Sequence, residues 1–381
     1  MKKIYLDNAA TTAMDPLVLE AMLPLMKEDF GNPSSTHSFG RKTRSAIEAA
    51  RKSIAALLNA SPGEIIFTSG GTEADNTAIL CSCRDLGVKH IISSPLEHHA
   101  VLHSIEEAEK AYGVKVTWLN VKGNGHLDLE QLEQVLAADE EKKLVSLMHA
   151  NNEIGNLLPI KKVAEMCKQY QALFHSDTVQ TMGHYPIDTK VIPVDFLACG
   201  AHKFHGPKGV GFLFRREGLK LEPFVHGGAQ ERGHRGGTEN LYGIVGLGKA
   251  FEIAHSEMQE HMDHISGLKR FMIERLKAEI PGVQFNGDAE GSSLYTVLNV
   301  SFPPNEKSDM MLFSLDIAGI AASGGSACSS GSNKGSHVLG ALGVDPTRSN
   351  IRFSFSKYTT KEEIEHTIEI LKQTIGIVVA H

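Results

Sequence analysis

The sequence is poor in the features that would place it in several broad classes. It has only five cysteines in 381 residues, an odd number, which argues against a disulfide framework. Basic residues do not predominate: 38 lysines and arginines stand against 45 aspartates and glutamates. The resulting net charge of −7 favours solubility and speaks against a general affinity for nucleic acid. No apolar run approaches the roughly 18 residues needed to span a bilayer. The opening MKKIYLDNAATT is broken at Asp7 and Asn8 before a signal-peptide core could form, and the closing GIVVAH is too short for an anchor. A cytoplasmic protein is expected, with no membrane partner. Internal repeats and low-complexity linkers are missing as well. Cys81 and Cys83 lack zinc-site spacing, Cys167 falls in a helical pattern and Cys199 ends an apolar run. These four read as buried structural cysteines, and no metal site is expected.

What is present is an ordinary globular composition, 41% hydrophobic and 22% charged, in a chain long enough for one large domain and a smaller one. Through the first two thirds, short apolar runs alternate with amphipathic stretches. Strands are predicted at residues 64–68, 90–93, 115–119, 144–149, 173–176, 195–199 and 210–214, and helices at 44–58, 99–112 and 160–170. This alternation predicts an α/β fold with a largely parallel sheet covered by helices on both faces. After Asn240 the texture changes. One long helical stretch, about 245–280, precedes a strand at 296–302 and a helix at 308–318. A loop dense in glycine and serine (323–336), a strand (350–356) and a final helix (361–377) follow. The expected division is a large domain over 16–258 and a small α+β domain over 259–381 together with residues 1–15. Such a loop reads either as a surface connection or as a mobile carrier of chemistry, and it holds one cysteine, Cys328.

The segment AHKFHGPK, residues 201–208, follows the apolar run that ends at Cys199. A lysine just past a strand's carboxyl end sits where α/β folds bind ligands, and its amine can form a Schiff base when partly deprotonated. Alone, it would read as a solvated charge. HSDTVQ places Asp177 at another strand end, where a carboxylate could keep a pyridine nitrogen protonated, as pyridoxal phosphate requires. TSGGTE, residues 68–73, joins a strand to a helix whose N-terminus offers N–H groups and positive dipole to a phosphate. Each signal is weak singly. Lysine, acid and phosphate cradle on successive strand ends are specific together.

That constellation resembles the fold-type I pyridoxal-phosphate enzymes of the class V aminotransferase branch. Within it, YLDNAATT, FGNPSS, FTSGGTEADN, EHHAVL, MHANNEIG, HSDTVQ, AHKFHGPKG, GGAQERGHRGGTEN, SGGSACSSG and IRFSFSKYTT look like segments of cysteine desulfurases. The type is that of nitrogen fixation and iron–sulfur-cluster assembly, and the match runs from residue 5 to residue 360. The resemblance implies pyridoxal 5'-phosphate as cofactor, a homodimer, and conversion of L-cysteine to L-alanine. Sulfur would pass to Cys328 as a persulfide, for delivery to an acceptor such as an iron–sulfur scaffold protein. It further implies that Lys203 forms the Schiff base and shuttles the Cα proton. Asp177 would pair with the pyridinium, Gln180 with the phenolic oxygen, and His98 would stack on the ring. Gly71, Thr72 and His202 would hold the phosphate, and Thr238 would reach the phosphate of the neighbouring subunit. Asn152 and Arg352 would bind the substrate carboxylate, Arg352 through a bidentate fork.

Some readings compete. His98, His99 and His103 could ligate a metal from a helix, but Glu97 and the family pattern favour stacking. Arg235 reads as a surface charge or as a residue of an interface or active site. A selenocysteine lyase, an aminotransferase or a non-catalytic assembly platform would share the fold; the intact Lys203, Asp177, His98, Arg352 and Cys328 favour the desulfurase. Two positions depart from the family pattern. Gly200 stands where a phosphate-binding serine is common, and Gly324 where a serine usually precedes the cysteine. The tail that some relatives use to dock a scaffold is also absent after the last helix.

Overall fold

The computed structural model describes residues 3–305, 308–324 and 335–376. Inner strands in the first two thirds are buried along their length because both faces of the sheet are covered, whereas the edge strand at residues 115–118 is partly exposed. In β7 (Phe196–Gly200), Leu197 and Cys199 join the core on one side while Phe196 and Ala198 join that on the other. Seven strands form the main sheet. They are β2 (Ile65–Thr68), β3 (His90–Ser93), β4 (Lys115–Trp118), β5 (Lys143–Ser146), β6 (Leu173–Asp177), β7 and β8 (Gly211–Arg215). Their order is β2-β8-β7-β6-β5-β3-β4, and β8 alone runs against its neighbours. Helices α2 (Ser38–Leu57), α6 (Ile160–Gln169) and α7 (Leu241–Ser256) cover one face. Helices α3 (Gly71–Asp85) and α4 (His99–Tyr112) cover the other. Helix α1 (Pro16–Glu28) starts at an Asp15 cap, whose side chain accepts from the Leu17 N–H, with Pro16 in the first turn. Cys81, Cys83, Cys167 and Cys199 are all buried.

A second apolar core lies in the C-terminal third. Here β10 (Val297–Phe302) pairs antiparallel with β9 (Gln284–Phe285) and β12 (Ser349–Ser354), and α8 (Met258–Glu279), α9 (Met311–Ile317) and α11 (Lys361–Thr374) pack around them. The chain's first strand, β1 (Ile4–Tyr5), runs parallel to β11 (Ile320–Ala321), and Ile4 and Leu6 are part of this core. The expected continuous helix over 245–280 is in fact two, α7 and α8, broken at Glu257 (φ −103, ψ 8). The Ser256 hydroxyl turns back to the Ile253 carbonyl at 3.0 Å and Glu257 reaches toward Lys357 at 3.3 Å. Local back-bonding and a distant partner end the helix where the apolar period continues.

Candidate active site

Strands β2, β3, β5, β6 and β7 are mutually parallel and end at one edge of the sheet, where residues just beyond them line a cleft of about 820 Å³. After β2 the chain turns at Gly70 (φ 155) into α3, which has no side-chain cap. The first N–H groups of α3, at Gly71 and Thr72 on the cleft wall, therefore stay available to an anion. Glu73 in the same turn would repel one. Its carboxylate is instead taken by the Ser69 N–H at 2.8 Å and by the Arg235 fork at 2.9 and 3.1 Å. Burial pushes that carboxyl up, but Arg235 and Ser69 hold it below its ordinary range. Arg235 thus braces the turn.

Beyond β3, His98 caps α4, its Nδ1 accepting from the Ala100 N–H at 3.1 Å. That bond leaves Nε2 as the protonated nitrogen of a neutral ring. Burial first, then the nearby Lys203 charge, push His98 down to about 4. His99 and His103 stack on each other at 5.2 Å between ring centroids. Glu97 is buried with both carboxylate oxygens on the Met148 N–H, at 3.0 and 3.1 Å.

Asp177 closes β6. Its Oδ1 accepts from the Val179 N–H at 2.9 Å, while Oδ2 makes no hydrogen bond among the described residues. Burial raises it to about 6, against the lowering pull of that N–H and of Lys203. Gln180, one turn on, donates to the Ala9 carbonyl at 3.0 Å. Lys203 ends the single 3-10 turn Ala201–Lys203 after β7, and its Nζ donates to the Ala9 and Ala10 carbonyls at 2.5 and 2.9 Å. Two residues on, His205 adopts a left-handed backbone (φ 65), a cost of about 1–2 kcal/mol for a residue with a Cβ. Thr12 and Ala13 fix it: the His205 N–H donates to Thr12 Oγ1 at 2.7 Å, and its ring meets the Ala13 carbonyl at 2.8 Å.

The opposite wall comes from the C-terminal third. Arg352, 1% exposed on β12, donates to the Asn152 carbonyl at 3.0 Å and to Asp7 Oδ1 at 2.7 Å, while its Nε is buried without a partner among the described residues. Its backbone pairs with Ser323 in both directions, at 2.7 and 3.2 Å. At the other end of the Gly/Ser segment, Ser336 donates to Glu153 at 2.5 Å and the His337 ring meets the Glu97 carbonyl at 3.0 Å. Both ends of the segment are therefore tied to the cleft walls. Cys328 itself lies outside the described residues.

The cleft brings together Lys203, Asp177, Gln180, His98, Gly71, Thr72, His202, Asn152 and Arg352. Thr238 is not among them; it lines a separate cleft of about 520 Å³ with Ser69, Arg235 and Asn240. A Cβ on Gly200 would meet nothing nearer than 3.6 Å, so sterics do not demand glycine there. At Gly324 a Cβ would meet Leu312 at 3.5 Å, an ordinary contact. Sequence reasoning missed Asp75, which lines the cleft from inside the quoted FTSGGTEADN. It also missed the Ala9 and Ala10 carbonyls and Asp7, all inside YLDNAATT.

This donor set fits pyridoxal phosphate. It joins an uncapped helix N-terminus beside His202, a buried carboxylate with one oxygen unengaged among the described residues, a neutral imidazole and a primary amine in one cleft. The aminotransferase class V family model matches residues 4–367. The chain is 45% identical over 378 residues to the cysteine desulfurase IscS of Dictyoglomus turgidum, covering 98% of this chain and 95% of that one. It is 44% identical over 379 residues to that of Clostridium botulinum strain Hall, with 98% and 94% covered. A solved NifS-like protein superposes with a TM-score of 0.91 at 37% identity, over 99% of this chain and all of the other.

Proposed function

The chain belongs to the class V aminotransferase family, in its cysteine desulfurase branch, and from that premise we propose that it converts L-cysteine to L-alanine, passing the sulfur to Cys328 as a persulfide for delivery to an acceptor such as an iron–sulfur scaffold protein. The observation that carries this reading is the meeting of Lys203, Asp177, His98 and Arg352 in one cleft whose walls also tie down both ends of the segment bearing Cys328.

Pyridoxal phosphate, the cofactor of this family, supplies an electron sink for the bonds at the substrate's Cα. Gly71, Thr72 and His202 would hold its phosphate, Asp177 its ring nitrogen, Gln180 its phenolic oxygen and His98 its ring face. Lys203 would hold it covalently, and its amine in the neutral form is the base for the Cα proton. The Ala9 and Ala10 carbonyls orient that amine and give its ammonium form a resting place. Arg352, pinned by Asp7 and Asn152, receives the substrate carboxylate, with Asn152 beside it. The Cys328 thiolate attacks the substrate sulfur: the S–S bond forms and the substrate's C–S bond breaks. The electron pair of that bond stays on the carbon, which takes up a proton to become alanine.

A homodimer is part of the same reading. Leu17, Leu19, Leu23 and Met26 on α1, with Phe30 and Phe39 beside them, leave a large apolar surface exposed, which supports burial against a second copy. Thr238 would serve that copy's phosphate site. No helix among the described residues is long and apolar enough to cross a membrane, and a cytoplasmic location is proposed.

The test is release of sulfide and alanine from L-cysteine with dithiothreitol, by the native protein and by Cys328→Ser, while following cofactor absorbance. Release of both by the native protein, lost in a variant that stays yellow, is the expected result. A colourless native protein, or a yellow one inert towards cysteine, would sink the reading.

A further inference from the structure

Asp75 stands on the first turns of α3, lines the cleft and is 1% exposed, yet the reaction just described gives it no task. Its Oδ1 lies 3.2 Å from Nε2 of His175, a residue wholly enclosed. Both atoms are buried and, apart from this approach, neither has a hydrogen-bond partner among the described residues. His175 precedes Asp177 by two positions on β6, so the pleat aims both side chains to one face. Its other ring nitrogen, Nδ1, lies 2.9 Å from Ser146 Oγ, on the residue paired with it in β5. A row of Asp75, His175 and Ser146 therefore runs across the buried side of the cleft, next to the carboxylate that would meet the cofactor's ring nitrogen.

A carboxyl and an imidazole facing each other in a dry site hold either one shared proton between neutral partners or a full ion pair. The surroundings decide between them. Asp177 and Glu97 are the acidic groups facing Asp75, and two neighbouring buried carboxylates resist ionising together. Burial, then the charges of Asp177 and Glu97, push Asp75 well above the ordinary carboxylate range. Burial pushes His175 down to about 3. A charged His175 would also place a cation beside Asp177 in competition with the cofactor.

We propose that Asp75 is kept as a neutral carboxylic acid, donating its proton to Nε2 of a neutral His175, and that it acts as a positioning residue which leaves Asp177 the ionised carboxylate for the cofactor's ring nitrogen. His175 then carries its proton on Nδ1, directed to Ser146. This rests on the cofactor reading above.

The test compares the holoenzyme with Asp75→Ala and Asp75→Asn in a pH titration of cofactor absorbance. Alanine removes the donor and frees His175 to bind a proton against Asp177, so the midpoint moves by about one pH unit. Asparagine keeps a donor that cannot ionise and brings the midpoint back to within about 0.3 unit of the native value. A shift in Asp75→Asn as large as in Asp75→Ala would mean that Asp75 acts as an anion; no shift in either would mean that it positions nothing. Both results overturn the proposal. An infrared difference spectrum of the cofactor-free protein, native minus Asp75→Asn at neutral pH, separates this from the cofactor reading and spares the alanine variant. Loss of a protonated-carboxyl C=O band supports the proposal, and loss of a carboxylate band overturns it. A native protein that never takes up the cofactor would instead sink the reading beneath it.

Discussion

The two walls of the cleft are built by different means. The sheet wall takes each residue from the end of a strand, so Gly71, His98, Asp177 and Lys203 are placed by one set of parallel ladders. The facing wall has no such scaffold. Arg352 is held by Asp7, 345 residues away in the chain, and by the Asn152 carbonyl, 200 residues away. A fold's regular edge preorganises the half that would hold the cofactor, whereas the half that would hold the substrate depends on distant segments meeting. The two walls should therefore fail separately.

Four perturbations test that separation, in falling order of effect. Lys203→Ala should lower alanine release by about 10⁴-fold or more, since it removes both the covalent anchor and the proton carrier. Borohydride should then fix no cofactor to the protein. Arg352→Ala should raise the KM for L-cysteine by about 100-fold while cofactor absorbance persists. It strands the Asp7 carboxylate, so a lower Tm should accompany the change. Loss of the cofactor in this variant would break the comparison.

The third is a change of pH. Asp177 is a carboxyl raised to about 6, so it loses its charge as pH falls through that value. Cofactor uptake by the apo-protein should weaken about tenfold per pH unit below 6, in equilibrium titrations with pyridoxal phosphate. For folding the sign is opposite. An acid raised in the folded state stabilises below its unfolded value of about 3.9, and that contribution is lost as pH rises through 6. The fourth sharpens the sheet wall. Gly200→Ser has room for its Cβ, and a hydroxyl bonded to phosphate should tighten cofactor binding about fivefold to tenfold, with KM unchanged.

Much of the sheet wall was legible in the sequence for the same reason that it is preorganised. Strands covered on both faces become short apolar runs, and a chemically loaded residue just past such a run has one place to be. The facing wall was legible only by resemblance. Nothing in the residues around Arg352 announces Asp7, because that pairing is made in space. Ala9 and Ala10 contribute main-chain carbonyls, which no side-chain pattern records. Asp75 was hidden by its motif: a polar residue on the first turns of a helix ordinarily reads as a solvated face, yet this one is sealed against His175. The break at Glu257 escaped because the apolar period runs through it, while the contacts that stop the helix come from Ser256 and Lys357.

The pairing of β1 with β11 sets an order of events during synthesis. Ile4 and Tyr5 leave the ribosome long before their partners, Ile320 and Ala321, are translated. The sheet and its helices can close on themselves meanwhile, while the first dozen residues wait without a ladder to join. Those same residues carry the Ala9 and Ala10 carbonyls that seat Lys203 and the carboxylate that steadies Arg352. A chain not yet extended through β11 and Arg352 thus holds strand ends with no seated amine and no facing wall, and reactive chemistry is withheld until those residues have been made.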